Sequence, residues 1–186
     1  MSKSKTYYLA SYAIMAAVLC ILAPLSIPIG PVPISLTSLV LYFAIFILGT
    51  KGTLISFCVY LLIGLIGLPV FSGYAGGIGK LAGPTGGYLI GFIPLIIIMG
   101  IIYSKFGKPD RPANIAYTMI GMILATAVLY FFGTLWFVLQ MQCTWLYALT
   151  ICVFPFIAFD IIKMALANVV GRTIRKALLK QGLIKE

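Results

Sequence analysis

The chain has 186 residues, 62% of them hydrophobic and 9% charged, with a formal net charge of +10 and a mean hydropathy of +1.15. Soluble domains carry about 25% charged residues, so this is an integral membrane protein. Its length leaves room for one compact bundle over residues 1–186. The positive charge sits in short loops between apolar segments, which is the mark of membrane topology and not of nucleic-acid binding.

Six apolar segments are predicted to cross the bilayer: Tyr8–Ala23, Leu36–Leu48, Thr53–Leu68, Gly86–Tyr103, Ala113–Leu139 and Pro155–Val170. The first is read as a retained span, because its apolar run is long and no A-x-A-like cleavage site precedes a polar region. Ala10, Ala13 and Ala17 give it a small-residue face that permits close helix approach, either inside the bundle or against a partner. A shorter stretch, Trp145–Val153, ends at a proline and is expected to be a loop or half-helix at the outer surface.

Orientation follows from lysine and arginine. Lys3 and Lys5 precede the first segment, and Lys51 follows the second. Lys105, Lys108 and Arg111 follow the fourth, and Arg172, Arg175, Lys176, Lys180 and Lys185 follow the sixth. Six spans place all of these on one side, the cytoplasm, with both termini inside. Lys80 and Lys163 are the exceptions.

The three outer connections are unusual. Pro24–Ser35 has prolines at positions 24, 28, 31 and 33, Pro69–Gly87 has seven glycines, and the third runs from about Gln140 to Phe154. Ile27, Ile29, Val32, Ile34, Leu68, Val70, Phe71, Leu81 and Tyr88 are poor choices for solvated loops. Irregular backbone near a bilayer is tolerated where it is buried in protein or lines a polar cavity. These connections are therefore expected to be structured and to cover a binding site.

Asp160 and Lys163 lie in the last span, in a run with no other charge between Phe154 and Val170. Their i, i+3 spacing puts both on one helix face. Charges at membrane depth are costly and are kept for function. Counting ~20 residues back from Arg172 places the pair one to two turns below the outer surface.

Other chemistries are excluded. There is no histidine, and of three acidic residues Asp110 and Glu186 fall on the inner side. No paired acid–base set or metal cluster can form, so neither enzymatic activity nor a cofactor is expected. Cys20, Cys58, Cys143 and Cys152 have no C-x-x-C spacing; a Cys143–Cys152 disulfide is the weaker reading and apolar filler the stronger. No Walker A sequence is present, so the chain does not hydrolyse ATP itself. A channel would need polar residues along several spans, and these are missing.

Four ordered runs carry a resemblance. They are Gly30-Pro-Val-Pro-Ile-Ser-Leu-Thr-Ser-Leu39, Gly67-Leu-Pro-Val-Phe-Ser-Gly73, Leu81-Ala-Gly-Pro-Thr-Gly-Gly-Tyr-Leu-Ile-Gly-Phe92 and Phe156-Ile-Ala-Phe-Asp-Ile-Ile-Lys163. Together they resemble the BioY family, biotin-binding S components of energy-coupling factor (ECF) transporters. Two steps depart from the family pattern: Leu36-Thr-Ser38 stands where Leu-Gln-Thr is common, and Ala158-Phe159 where Pro-Gly is common.

The resemblance implies a protein of the prokaryotic plasma membrane that captures biotin at its outer face. It implies docking on a membrane T component coupled to two cytoplasmic ATPases, with Ala10, Ala13 and Ala17 at that interface. It implies ligand contacts from Thr37 and Ser38, from Phe71, Ser72, Gly73, Tyr74, Gly77, Thr85, Gly86 and Tyr88, and from Asp160 and Lys163. On this reading Asp160 accepts from a ureido N–H and Lys163 donates to the ureido oxygen or takes the valerate charge. Tyr74, Tyr88 and Trp145 cover the bicycle, and backbone N–H groups between Gly73 and Gly87 hold the carboxylate; Lys80, which the family motif does not mark, is at most a helper there. The alternatives are an S component for thiamine or riboflavin and a stand-alone small-solute transporter.

Overall fold

The structure is a computed structural model that describes residues 5–106 and 113–182. Lys3, Lys108, Asp110, Arg111, Lys185 and Glu186, all used in the topology argument, lie outside the described residues. The elements are α1 (Lys5–Leu22), β1 (Ser26–Ile27), β2 (Ile34–Ser35), α2 (Thr37–Leu65), α3 (Ile78–Ala82), α4 (Gly86–Phe106), α5 (Ala113–Met141), α6 (Trp145–Cys152) and α7 (Phe154–Lys180). Among the described residues, five helical stretches are long and apolar enough to cross a membrane: Lys5–Leu22, Thr37–Leu65, Gly86–Phe106, Asn114–Met141 and Trp145–Lys180.

The second of these is not one rod. Gly49 interrupts it with φ 71 and ψ −177, a conformation open to glycine and strained for other residues. A straight helix at ~1.5 Å per residue would hold Thr37 and Tyr60 about 34 Å apart. Both instead line one cavity, so α2 folds back on itself as two limbs about Gly49. The sequence reading allowed four residues for this turn, and the structure uses one. The Thr53 hydroxyl donates to the Gly49 carbonyl at 2.8 Å and helps close the turn.

α1 packs on the second limb, where the Ser56 hydroxyl donates to the Tyr12 carbonyl at 2.9 Å. α1 buries only Ala16 and Leu19, while Ala10, Ala13 and Ala17 face outward. One large apolar core joins both limbs of α2 to α4, α5 and α7, with Phe46, Phe57, Leu95, Ile96 and Met99 fully enclosed.

The outer connections are ordered. The first is a small antiparallel ribbon with Ser26 opposite Ser35 and Ile27 opposite Ile34, a feature not anticipated from sequence. The second carries the short α3 and is pinned at two points. The Phe71 ring seats against Gly64, where any Cβ would meet it at 2.2 Å, and the Trp136 indole N–H donates to the Gly83 carbonyl at 3.0 Å. The third contains α6. A second apolar cluster of Val32, Ile34, Phe137, Ala148, Cys152 and Phe156 binds the first and third connections together.

The prediction that these connections bury their apolar residues holds for Val32, Ile34, Val70 and Phe71, but Ile27 stays 54% exposed and Leu68 50%. Cys143 and Cys152 bracket α6 and are both free. The Cys143–Cys152 pairing is therefore not formed in this fold.

The opposite end corrects another expectation. Arg172 is not a solvated loop charge but is 7% exposed. Its Nε donates to the Asn168 side-chain oxygen at 2.7 Å, and its Nη2 to the Thr118 hydroxyl at 2.7 Å and the Asn114 carbonyl. Arg175 lies over the Tyr103 ring at 5.4 Å and donates to the Phe46 carbonyl at 2.9 Å, near the end of the first α2 limb. These two arginines tie together the ends of α2, α4, α5 and α7.

Candidate functional site

α7 begins at Phe154 with Pro155 in its first turn, where a missing N–H costs nothing. Asp160 follows in the second turn. It and Lys163 form an ion pair at 2.9 Å, with residue exposures of 5% and 8%. The spacing argument from sequence is thus realised on one face of α7.

The pair belongs to a larger group. The Tyr130 hydroxyl donates to Asp160 Oδ2 at 2.6 Å. Ser38 reaches Asp160 Oδ1 at 3.5 Å and accepts from Lys163 at 3.4 Å. Lys163 also donates to the Ser35 carbonyl at 2.8 Å. α2, α5, α7 and the β2 strand therefore converge on one buried carboxylate–ammonium centre. All three Lys163 donors are engaged, the one to Ser38 weakly, so a ligand carbonyl would have to share or displace that long bond. Asp160 Oδ2 accepts one short bond and keeps a free lone pair for a ligand N–H.

This centre forms part of the wall of a cavity of about 610 Å³, counted with the space at its mouth. Val32, Pro33, Leu89, Phe92, Leu129 and Phe156 supply apolar surface, and Tyr60, Tyr88 and Tyr130 supply aromatic surface. The Tyr88 hydroxyl donates to the Cys152 carbonyl at the end of α6, at 2.9 Å, which fixes its ring. Ser72, Lys80 and Thr85 come from the second outer connection. There α3 is short and its lysine is half-buried, and burial pulls the Lys80 ammonium below the usual lysine range.

Of the residues named from sequence, Thr37, Ser38, Ser72, Thr85, Tyr88, Asp160 and Lys163 line the cavity. Phe71, Gly73, Tyr74, Gly77 and Gly86 do not. Phe71 is a fully buried anchor against Gly64, Tyr74 points outward at 63% exposure, and Gly86 packs on the Leu81 carbonyl. Trp145 is 46% exposed and absent from the wall, so it does not cover the cavity as expected. Sequence reasoning missed Tyr60 and Tyr130. Each is one of 11 tyrosines in an apolar run, and only packing shows that its ring faces the cavity. Among the described residues no group of histidine, cysteine, aspartate or glutamate is placed to hold a metal ion.

Comparison with known proteins gives the family. The pattern of the BioY family matches residues 1–180. The chain belongs to the BioY family. It is 36% identical over 180 residues to "Biotin transporter BioY2" of Lactococcus lactis subsp. cremoris (strain MG1363), covering 96% of this chain and 95% of that protein. It is 32% identical over 164 residues to "Biotin transporter BioY" of Thermotoga maritima, covering 88% and 92%. A crystal structure of the S-component for biotin from an ECF-type ABC transporter superposes with a TM-score of 0.86 at 33% identity, over 95% of this chain and 94% of that one. This BioY family member therefore shares the overall helical fold of that S-component.

Proposed function

We propose that this protein is the substrate-binding membrane subunit, the S component, of an ECF transporter, and that it captures biotin at the outer face for uptake. The single observation that carries the reading is the cavity centred on Asp160, Lys163 and Tyr130 in a member of the BioY family. The ureido ring of biotin offers two N–H donors and one carbonyl acceptor. Asp160 accepts from an N–H, Lys163 donates to the carbonyl by sharing its bond to Ser38, and the tyrosine and apolar walls enclose the bicycle. An ionised acceptor strengthens such a bond about twofold over a neutral one.

α1, the two limbs of α2, α4, α5 and α7 make six crossings, with both termini on the cytoplasmic side of the plasma membrane. The outer connections then cover the cavity, and the basic residues of α7 face the cytoplasm. The chain carries no catalytic set and couples to ATP through partners: a membrane T component and two cytoplasmic ATPases. The outward face of Ala10, Ala13 and Ala17 supports close approach of α1 to the T component.

Purification in detergent, mass spectrometry of the co-purified small molecule and calorimetric titration test the reading. Biotin is the expected ligand, bound without ATP. Binding of thiamine or riboflavin, with no response to biotin, would replace it.

A further inference from the structure

Arg172 is 7% exposed and Tyr103 6%, at the end of the bundle opposite the cavity. Asp160 is the one acidic residue among the described residues, and the stretch of α7 between it and Arg172, at ~1.5 Å rise per residue, holds the two about 18 Å apart. The Arg172 guanidinium is held by neutral acceptors: the Asn168 side-chain oxygen, the Thr118 hydroxyl and the Asn114 carbonyl. These satisfy hydrogen bonds without neutralising the charge, and Arg172 Nη1 has no partner. The Tyr103 hydroxyl is likewise enclosed and unpaired. Arg175 stands beside it, its guanidinium 5.4 Å from the centre of the Tyr103 ring, and forms no ion pair among the described residues. Tyr103 lies within electrostatic reach of both arginines. Two guanidiniums one turn apart on α7 thus flank a phenol on α4, and two enclosed donors are unused.

A buried cation is costly unless it is paired, and an enclosed donor without an acceptor adds its own desolvation penalty. An anion that accepts from both donors removes both costs. The surroundings indicate its kind. Phe106 and Tyr117 stack at 5.0 Å between the end of α4 and the start of α5. Both are exposed, as are Ile115 and Val169 at the same end. Aromatic and apolar side chains around a basic cluster at the ends of membrane-crossing helices are the setting of a lipid headgroup. We propose that Arg172, Arg175 and Tyr103 form a binding site for the phosphate of a net-anionic lipid. Arg172 Nη1 and the Tyr103 hydroxyl donate to phosphate oxygens, and Arg175, half-buried, supplies charge at the entrance. Arg175 also donates to the Phe46 carbonyl at 2.9 Å, so the occupant joins α2, α4, α5 and α7 at one point and stabilises their packing. A free phosphate ion offers the same chemistry, and the experiment separates the two sources.

Thermal unfolding in dodecyl maltoside is followed for the wild type, Tyr103→Phe and Arg175→Gln, each without addition and with phosphatidylglycerol, phosphatidylcholine or inorganic phosphate. Tyr103→Phe removes a hydroxyl that makes no bond within the fold, so without lipid it should unfold at or above the wild-type temperature. Arg175→Gln gives up its own contacts, and its lipid-free temperature is its reference. Phosphatidylglycerol at ~10 times its Kd should raise the wild-type unfolding temperature by about 3–6 °C, and zwitterionic phosphatidylcholine by much less. Both variants should keep one cooperative transition and lose most of the rise. A rise with inorganic phosphate as large as that with the lipid would keep the site and make free phosphate its occupant. No rise with either anion, equal rises with the two lipids, or an undiminished rise in either variant would each overturn the proposal.

Discussion

Replacing Asp160 by asparagine separates the binding role of the buried centre from its structural role. Asp160 is 5% exposed and accepts from Lys163 at 2.9 Å and Tyr130 at 2.6 Å. Asparagine keeps one acceptor oxygen and adds an amide that faces two donors. Lys163 retains the Ser35 carbonyl but loses its counter-charge. Breaking one side of a buried pair costs ~3–5 kcal/mol, divided between stability and affinity. For the ligand, exchanging a carboxylate acceptor for an amide removes about 1–2 kcal/mol, a 5- to 30-fold loss. The double variant Asp160→Leu/Lys163→Met removes both charges, and apolar replacement of a buried pair is often neutral or stabilising. It should therefore unfold at or above the temperature of Asp160→Asn in detergent, while binding biotin more weakly than the single variant. Calorimetric titration and thermal unfolding on the same preparations read both quantities. Wild-type affinity in either protein would show that the pair serves the fold alone and would refute the binding role.

Four other outcomes follow from the geometry. Gly133→Ala places a Cβ at 2.3–2.5 Å from the Tyr88 ring, an overpacking of ~1–3 kcal/mol, and should weaken biotin binding in titration without touching the ligand. Ala13→Trp or Ala17→Trp on the outward face of α1 should leave biotin affinity unchanged but sharply reduce ATP-driven uptake and co-purification with the T component; normal values for both would assign that face to lipid. Arg172→Met deletes the hub to Asn168, Thr118 and Asn114 and should cost about 2–3 kcal/mol in denaturation, with biotin affinity of the folded protein retained. Lys80 is charged below its lowered pKa, so affinity for biotin should fall as pH rises through that value, while biotinamide affinity stays flat there. A parallel fall for both ligands would show that the effect does not come from Lys80.

Some of this was legible in the residues. Apolar composition and segment lengths determine a membrane helical protein, because backbone polar groups must be satisfied within each span. The isolated charges of Asp160 and Lys163 reveal a site, because charge at that depth is costly. Their i, i+3 spacing fixes a shared face, and the structure places them 2.9 Å apart. The four family motifs run in order along the chain and name the ligand class.

Other features depended on contacts between distant segments. Gly49 is one of 19 glycines, and nothing local says that it alone turns α2 back on itself. Tyr130 reads as one aromatic residue in an apolar run until α5 packs beside α7 and its hydroxyl meets Asp160. Phe71 and Tyr74 share a loop of similar composition, yet the close approach of Gly64 draws one into the core and leaves the other outside. Arg172 reads as an inner-surface charge because periodicity does not show that Asn168 and Thr118 stand ready to satisfy it. Sequence therefore determined the solvent, the class of fold and the charged heart of the site, since these follow from the transfer energies of individual residues. Tertiary structure decided which loop residues form the wall, and that Lys80 faces the cavity without a counter-ion, because those depend on pairings between segments far apart in the chain.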